Sequence, residues 1–229
     1  MHDLISLCIP CMNRTSDLKA VMPSILKAAR VSPPVQVAIL DYNTQDDLAA
    51  YLVSITNEFT DGVSLNYLRY EGHSYFHMAH ARNLSVLASI GDYVVISSCD
   101  IKLDFDFFTV IREHIERDNP AWMNFMNEMG VVIIERNEFI NAGGFDERFE
   151  FYGSEDKDLY LRLLRRGAQH SILPGKKFYA ITTPDAEKIK NYREPLSKAE
   201  MDKRGKVFYW QNIAEGVMVA NLEGWGAWN

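Results

Sequence analysis

The chain has 229 residues, 47% of them hydrophobic and 24% charged. At roughly 100–200 residues per domain this is one large domain or two small ones, and the apolar content excludes a largely disordered chain. The formal net charge of −7 argues against a general nucleic-acid-coating role, which needs a basic footprint, and no window approaches the ~18 uninterrupted apolar residues of a membrane span.

The N-terminal stretch through Arg14 has an acid at position 3 and no basic run, so it does not read as a secretory signal. Leu4–Ile9 is a short apolar run and predicts a buried strand. Ser16-Asp17 can cap a helix running to about Arg30, with an apolar stripe at Leu18, Val21, Met22, Ile25 and Leu26. Ser32-Pro33-Pro34 breaks it, and Val35–Leu40 is a second strand. Thr44 to Asp47 resembles a capping box opening a helix through Leu52 and Ile55. Val63–Tyr70 is a third strand, His77 to Ser89 a helix, and Tyr93–Ser97 a fourth strand.

The second half is less regular. Phe105–Glu116 reads as a helix, Val131–Glu135 as a strand, and Asn141 to Gly144 as a turn. Glu155 to Arg166 is an amphipathic helix. Ser171–Leu173 and Phe178–Ile181 are short strands, and the last 45 residues look helical before a Trp-Gly-Ala-Trp end. Strands alternating with helices predict an α/β fold with a mostly parallel sheet. In such a sheet the site lies beyond the carboxyl ends of the strands. The polar residues there are Pro10 to Arg14, Asp41 to Asn43, and Ser98 to Asp100.

Three cysteines at 8, 11 and 99 are too few for a disulfide framework. Cys8 and Cys11 have redox-motif spacing, but Cys8 falls inside a predicted strand instead of opening a helix. Residues 185–206 carry seven Lys/Arg and five Asp/Glu, which reads as a solvated, salt-bridged helical face, with a local basic groove as the alternative. His73, His77 and His80 are close enough in sequence to line one pocket, and a metal site there is the lesser reading. Trp122, Trp225 and Trp228 are candidates for an exposed stacking surface, with core packing as the default.

Four constellations stand out: Pro10-Cys11-Met12-Asn13-Arg14; Asp41-Tyr42-Asn43; Ala81-Arg82-Asn83 followed by Gly91-Asp92-Tyr93 and Asp100; and Gly144-Phe145-Asp146-Glu147-Arg148 followed by Tyr152-Gly153-Ser154-Glu155-Asp156-Lys157-Asp158-Leu159 and Arg162-Leu163. Together, across about residues 4–182, they resemble the family 2 glycosyltransferases with the GT-A fold. The last constellation is similar to the acceptor-side segment of β-1,4-galactosyltransferases and chondroitin-type polymerases.

The resemblance implies a GT-A domain over 1–184, with a helical extension over 185–229 packed on it. It implies an inverting transferase moving a sugar from a nucleotide-sugar, usually a UDP-sugar, to an acceptor hydroxyl, with a glycan as the favoured acceptor. Asp156 matches the catalytic base, and Glu155 binds the acceptor or shares that role. Pro10, Asn13, Arg14, Asp41, Asn43, Arg82, Ser98 and Asp100 fall at donor-binding positions, with Arg82 approaching the phosphates and Asp41 the base. The family's Asp-x-Asp reads Ser98-Cys99-Asp100 here, leaving Asp100 as the expected ligand of a Mn2+ or Mg2+ ion. A histidine many relatives place near the last strand is missing from Phe178 to Thr182.

Three alternatives follow from the same residues. The acceptor is a hydroxylated base in nucleic acid, supported by the basic stretch 185–206. The chain is a nucleotide-sugar-binding module without catalysis, motivated by Ser98. Or it is a sugar-phosphate nucleotidyltransferase, against which residues 10–14 lack the Gly-rich signature. The expected setting is cytoplasmic, with the Trp-rich end as a candidate contact for a membrane surface or a partner.

Overall fold

A computed structural model describes residues 4–227 apart from 127, 129 and 195. Four strands run parallel: β1 (Ile5–Cys11), β2 (Val35–Tyr42), β3 (Val63–Tyr70) and β4 (Tyr93–Ile96). They join β6 (Trp122–Phe125), β7 (Val132–Glu135) and β8 (His170–Leu173) in one seven-stranded sheet of order β3-β2-β1-β4-β7-β6-β8. β7 alone runs against its neighbours. A second, two-stranded sheet pairs β5 (Ile101–Leu103) with β9 (Phe178–Ala180).

β1 and β2 are buried along their whole length, as expected of strands covered on both faces. On one face Ile5, Leu7, Ile9 and Cys11 pack with α1 (Thr15–Val31) and α4 (Phe107–Asp118). The stripe Leu18, Val21, Met22, Ile25 and Leu26 supplies the α1 side of that core. Truncating one of these, such as Ile25, to alanine costs about 2–5 kcal/mol in a core of this kind. The other face is covered by α3 (Met78–Leu87), α5 (Arg136–Asn141) and α6 (Glu155–Arg165), around Phe139, Phe145, Phe149, Leu159 and Leu163. α2 (Leu48–Ser54), followed by a 3-10 turn at Thr56–Glu58, packs Leu48 and Leu52 into the first core.

Two expected helix starts differ. α1 begins at Thr15, ahead of Ser16-Asp17, and its cap comes from another loop. The Asp46 carboxylate accepts the Thr15 N–H at 2.9 Å and the Thr15 hydroxyl at 2.6 Å, satisfying an otherwise orphaned first-turn donor. The capping box expected at 44–47 does not form: the Thr44 hydroxyl accepts the Asn13 N–H, Asp47 pairs with Lys19 at 2.6 Å, and α2 starts at Leu48 without a side-chain cap. β5, β6 and α5 are too short to give a periodic signal and were not expected.

The C-terminal segment forms α7 (Asp185–Ile189) and α8 (Lys198–Glu215), the latter opened by a capping box between Ser197 and Glu200. Gly153 lies against α8 at Gly205, where an added Cβ would meet the Gly153 carbonyl at 2.2 Å. Asn212 of α8 donates to Asp146 at 2.9 Å and Asp158 at 2.7 Å, both buried. No helix among the described residues is long and apolar enough to cross a membrane.

Candidate active site

β1 pairs with β4 only as far as Cys8 and Ile96, while it continues beside β2 to Cys11. The sheet winds toward β3 on one side and toward β7 on the other, so a crevice opens beyond these strand ends, at the switch point where α/β sheets bind ligands. Pro10, with no N–H to give, sits past the last β1–β4 pair and lines it. The crevice holds a cavity of about 270 Å³.

Its walls come from several parts of the chain, including Gly130 before β7, Tyr152 before α6 and Ala180 of β9. β1 and its following loop give Pro10, Met12 and Arg14; α3 and the loop before it give Phe76, Met78 and Arg82. The β4–β5 turn gives Ser98 to Ile101. The C-terminal segment gives Lys188, Ile189, Asn191, Tyr192 and Lys198. Four lining side chains are cationic (Arg14, Arg82, Lys188, Lys198) and one, Asp100, is acidic.

Asp100 is buried, and its Oδ2 accepts from Arg14 Nη2 at 3.1 Å and Lys188 Nζ at 2.9 Å. Burial alone would raise its pKa. The hydrogen bond and charge of Lys188, with those of Arg14, outweigh burial and hold the carboxyl below its ordinary value. Arg14 is itself fixed by Asp17 through Nε at 2.8 Å. Lys188 is fixed through its neighbour Asn191, which donates to the Met12 carbonyl at 2.9 Å and accepts from Asn13 Nδ2 at 3.0 Å. The C-terminal segment is thus tied across the β1–α1 loop.

These residues do not fit a divalent ion held by the protein. Among the described residues no three His, Cys, Asp or Glu side chains converge on a metal position. The hard side-chain donors of the β4–β5 turn are one carboxylate and the Ser97 and Ser98 hydroxyls, where such an ion wants several charged oxygens. Asp100 already carries two cations. Two unit charges about 4 Å apart repel by about 4 kcal/mol near a protein surface, and a divalent ion would double that against each.

Arg82 is buried on α3. Its Nη1 donates to Glu155 Oε1 at 2.8 Å, its guanidinium lies 5.2 Å from the Phe145 ring, and its buried Nε has no protein partner. Glu155 Oε2 accepts the Gly153 N–H at 2.9 Å. Both Glu155 oxygens are therefore engaged. Burial pushes its pKa up, opposed by the Arg82 charge and reinforced by that of Asp156. Asp156 is half-buried at the α6 N-terminus, where Oδ1 accepts the Lys157 N–H at 2.8 Å, and the helix dipole favours its charge. The turn before it needs left-handed backbone at Gly153 (φ +110°) and Ser154 (φ +70°).

The remaining expected residues shape loops behind the cavity. Asp41 is fully buried; it accepts from Thr44 N at 2.7 Å, Tyr67 Oη at 2.7 Å and Arg69 Nη1 at 2.9 Å. Asn43 donates to the His73 carbonyl at 2.9 Å, and Asn13 Oδ1 accepts the Gln45 N–H at 2.7 Å. Within the fourth constellation, Arg162 is buried, pairs with Asp158 at 2.8 Å and donates to the carbonyls of Ala142 at 2.6 Å and Gly144 at 2.8 Å, clamping the glycine turn.

His73, His77 and His80 do come together, around Tyr42, whose hydroxyl meets His73 Nδ1 at 2.8 Å and His80 Nδ1 at 2.7 Å. Burial, with His80 and His73 adding, pushes the His77 pKa down to about 3. Trp122 is a core residue, stacked on His170 at 3.7 Å and on Tyr160 at 4.8 Å, so its stacking on a sugar is excluded by burial. Trp225 packs on Phe139 at 5.8 Å, and Trp228 lies outside the described residues.

Lys188, Asn191, Tyr192 and Lys198 were missed as lining residues. Their one signal was the charge run at 185–206. Several of its members do form the surface pairs expected of a solvated face, such as Arg204–Glu194 and Lys206–Asp202, but Lys188 turns inward.

Residues 112–187 match the family model for the N-terminal domain of galactosyltransferase, a stretch that includes Gly144 to Arg148 and Tyr152 to Leu159. No curated protein sequence matches the chain. Among solved structures, the chain is similar to S. aureus TarS 1-349 in complex with UDP, at 16% identity and TM-score 0.64, over 92% of this chain and 72% of that one. It is similar to the mannosyltransferase PcManGT from Pyrobaculum calidifontis in complex with GDP-Man and Mn2+, at 13% identity and TM-score 0.62, over 75% and 56%. It is also similar to the catalytic domain of Drosophila β1,4-galactosyltransferase 7 in complex with xylobiose, at 14% identity and TM-score 0.52, over 88% and 79%. The fold is the GT-A glycosyltransferase fold, as the motifs implied.

Proposed function

We propose that the chain is an inverting glycosyltransferase that moves a sugar from a UDP-sugar to a hydroxyl of a glycan. The observation that carries this reading is the charge of the cavity at the switch point: four cationic side chains against one carboxylate, beside a helix that begins Glu155-Asp156. A nucleoside diphosphate is the anion that such a pocket in a GT-A fold suits. TarS was solved with UDP and with UDP-GlcNAc, which supports the uridine donor, and the xylobiose complex of the Drosophila domain supports a saccharide acceptor.

In this reading Asp156 accepts the proton of the acceptor hydroxyl. The acceptor oxygen forms the new bond to the anomeric carbon from the face opposite the leaving group. The bond from that carbon to the diphosphate oxygen breaks, its electron pair departing with the nucleoside diphosphate. Glu155, with both oxygens engaged, acts by holding Arg82 at the cavity wall.

Asp156→Asn tests the assignment. Loss of a general base lowers turnover about 10²–10⁴-fold. Donor affinity, measured by calorimetry, stays near wild type, because Asp156 does not line the cavity. A variant that keeps full turnover rules out Asp156 as the base.

A further inference from the structure

The Ser98-Cys99-Asp100 turn offers a lone carboxylate at a place where the resemblance called for two, and that carboxylate is already spanned by cations from opposite ends of the chain. We propose that Arg14 and Lys188 are the counter-charge of the donor diphosphate, so that this site binds nucleoside diphosphates without a divalent ion and Asp100 serves to position the two cations. The inference rests on the nucleotide-sugar reading above and deepens it.

Both cations line the cavity, and both meet one oxygen, Asp100 Oδ2, at 2.9 and 3.1 Å. An ammonium has three donors. Asp100 is the one ion-pair partner of Lys188 among the described residues, which leaves donors for phosphate oxygens. Arg14 gives Nε and Nη2 to Asp17 and Asp100, which leaves its Nη1 as the donor for a phosphate oxygen. Neither cation is loosely placed. Arg14 is held by Asp17 at 2.8 Å, and Lys188 is carried by a segment that Asn191 fastens to the Met12 carbonyl at 2.9 Å. Arg82 adds a third cation, with its own charge balanced by Glu155. When the bond to the sugar breaks, negative charge grows on the diphosphate, and preformed donors stabilise it. The C-terminal segment is then part of the donor site, because without α7 the site loses one of its two clamping charges.

The test is calorimetric titration of the full chain with UDP, GDP and inorganic pyrophosphate, in EDTA and again with Mn2+ or Mg2+. The expected result is a dissociation constant in EDTA within about threefold of that with metal. Lys188→Met is expected to weaken binding about tenfold or more, as loss of a charge-assisted hydrogen bond does, with no rescue by added metal, while Lys188→Arg restores it. Lys188 is partly exposed, and thermal melting confirms that each variant is folded. Binding by wild type only when metal is present overturns the proposal and leaves the nucleotide-sugar reading standing. Unchanged affinity in Lys188→Met also overturns it. Absence of binding under every condition overturns both.

Discussion

Arg82 and Glu155, 73 residues apart, meet at 2.8 Å with side chains 7% and 4% exposed. The contact joins the helix after β3 to the helix that carries Asp156. Removing one partner of a buried pair strands the other charge, which costs about 3–5 kcal/mol. Arg82→Met and Glu155→Leu are each expected to lower stability by about that amount. The double variant should lose much less than the sum, because neither charge is then left alone. Urea unfolding of the four proteins gives the coupling energy, and additive losses would contradict a direct pair.

Ser98→Asp restores the missing carboxylate. A second negative charge beside Asp100 competes for Arg14 and Lys188 and supplies another hard oxygen. UDP binding in EDTA should weaken, and Mn2+ should now improve it. Titrations with and without metal check both signs.

Acid sensitivity follows from the histidine cluster. The His77 pKa is near 3 in the fold against an ordinary 6.5, so the unfolded chain binds a proton that the folded chain refuses. Stability is therefore intact above pH 6.5 and falls as pH drops toward 3, by up to about 1.4 kcal/mol per unit. His77→Asn keeps an acceptor for the His80 N–H, which His77 Nδ1 now accepts at 3.3 Å. Between pH 6.5 and 5 the variant should lose up to about 2 kcal/mol less than wild type. Denaturant melts at the two pH values measure the difference; equal slopes would contradict the burial argument.

Gly205 is needed for close approach of α8. A Cβ there meets the Gly153 carbonyl at 2.2 Å, and that carbonyl belongs to the turn that presents Glu155 and Asp156. Gly205→Ala, which would favour an isolated helix, is expected instead to destabilise by about 1–3 kcal/mol, as overpacking does, and to lower turnover by displacing the turn. Melting temperature and kcat report the two effects.

The first half of the fold was legible because β1, β2 and β4 are largely apolar runs, β3 alternates apolar and polar residues, and the helices carry periodic stripes; Val63–Tyr70 was read to the residue. Motif order alone named the GT-A fold. What the sequence hid was tertiary. Thr44 and Asp47 read as a capping box for α2, but the Thr44 hydroxyl accepts the Asn13 N–H and Asp47 pairs with Lys19, while Asp46 between them caps α1. Asp41 was read as a donor-binding residue, and nothing local reveals that Tyr67 and Arg69 of the next strand donate to it. Lys188 looked like one more solvated lysine, because nothing local reveals that Asn191 will fasten its segment over the β1–α1 loop. Trp122 reads alike as a stacking platform or a core residue until β6, its own strand, is placed inside the sheet.

The central claim is sugar transfer from a nucleotide-sugar, and its most direct test is release of nucleoside diphosphate from a panel of UDP- and GDP-sugars, with and without saccharide acceptors. The account predicts release from a UDP-sugar, accelerated by a saccharide and lost in Asp156→Asn. No release from any donor, with or without acceptor, would contradict it.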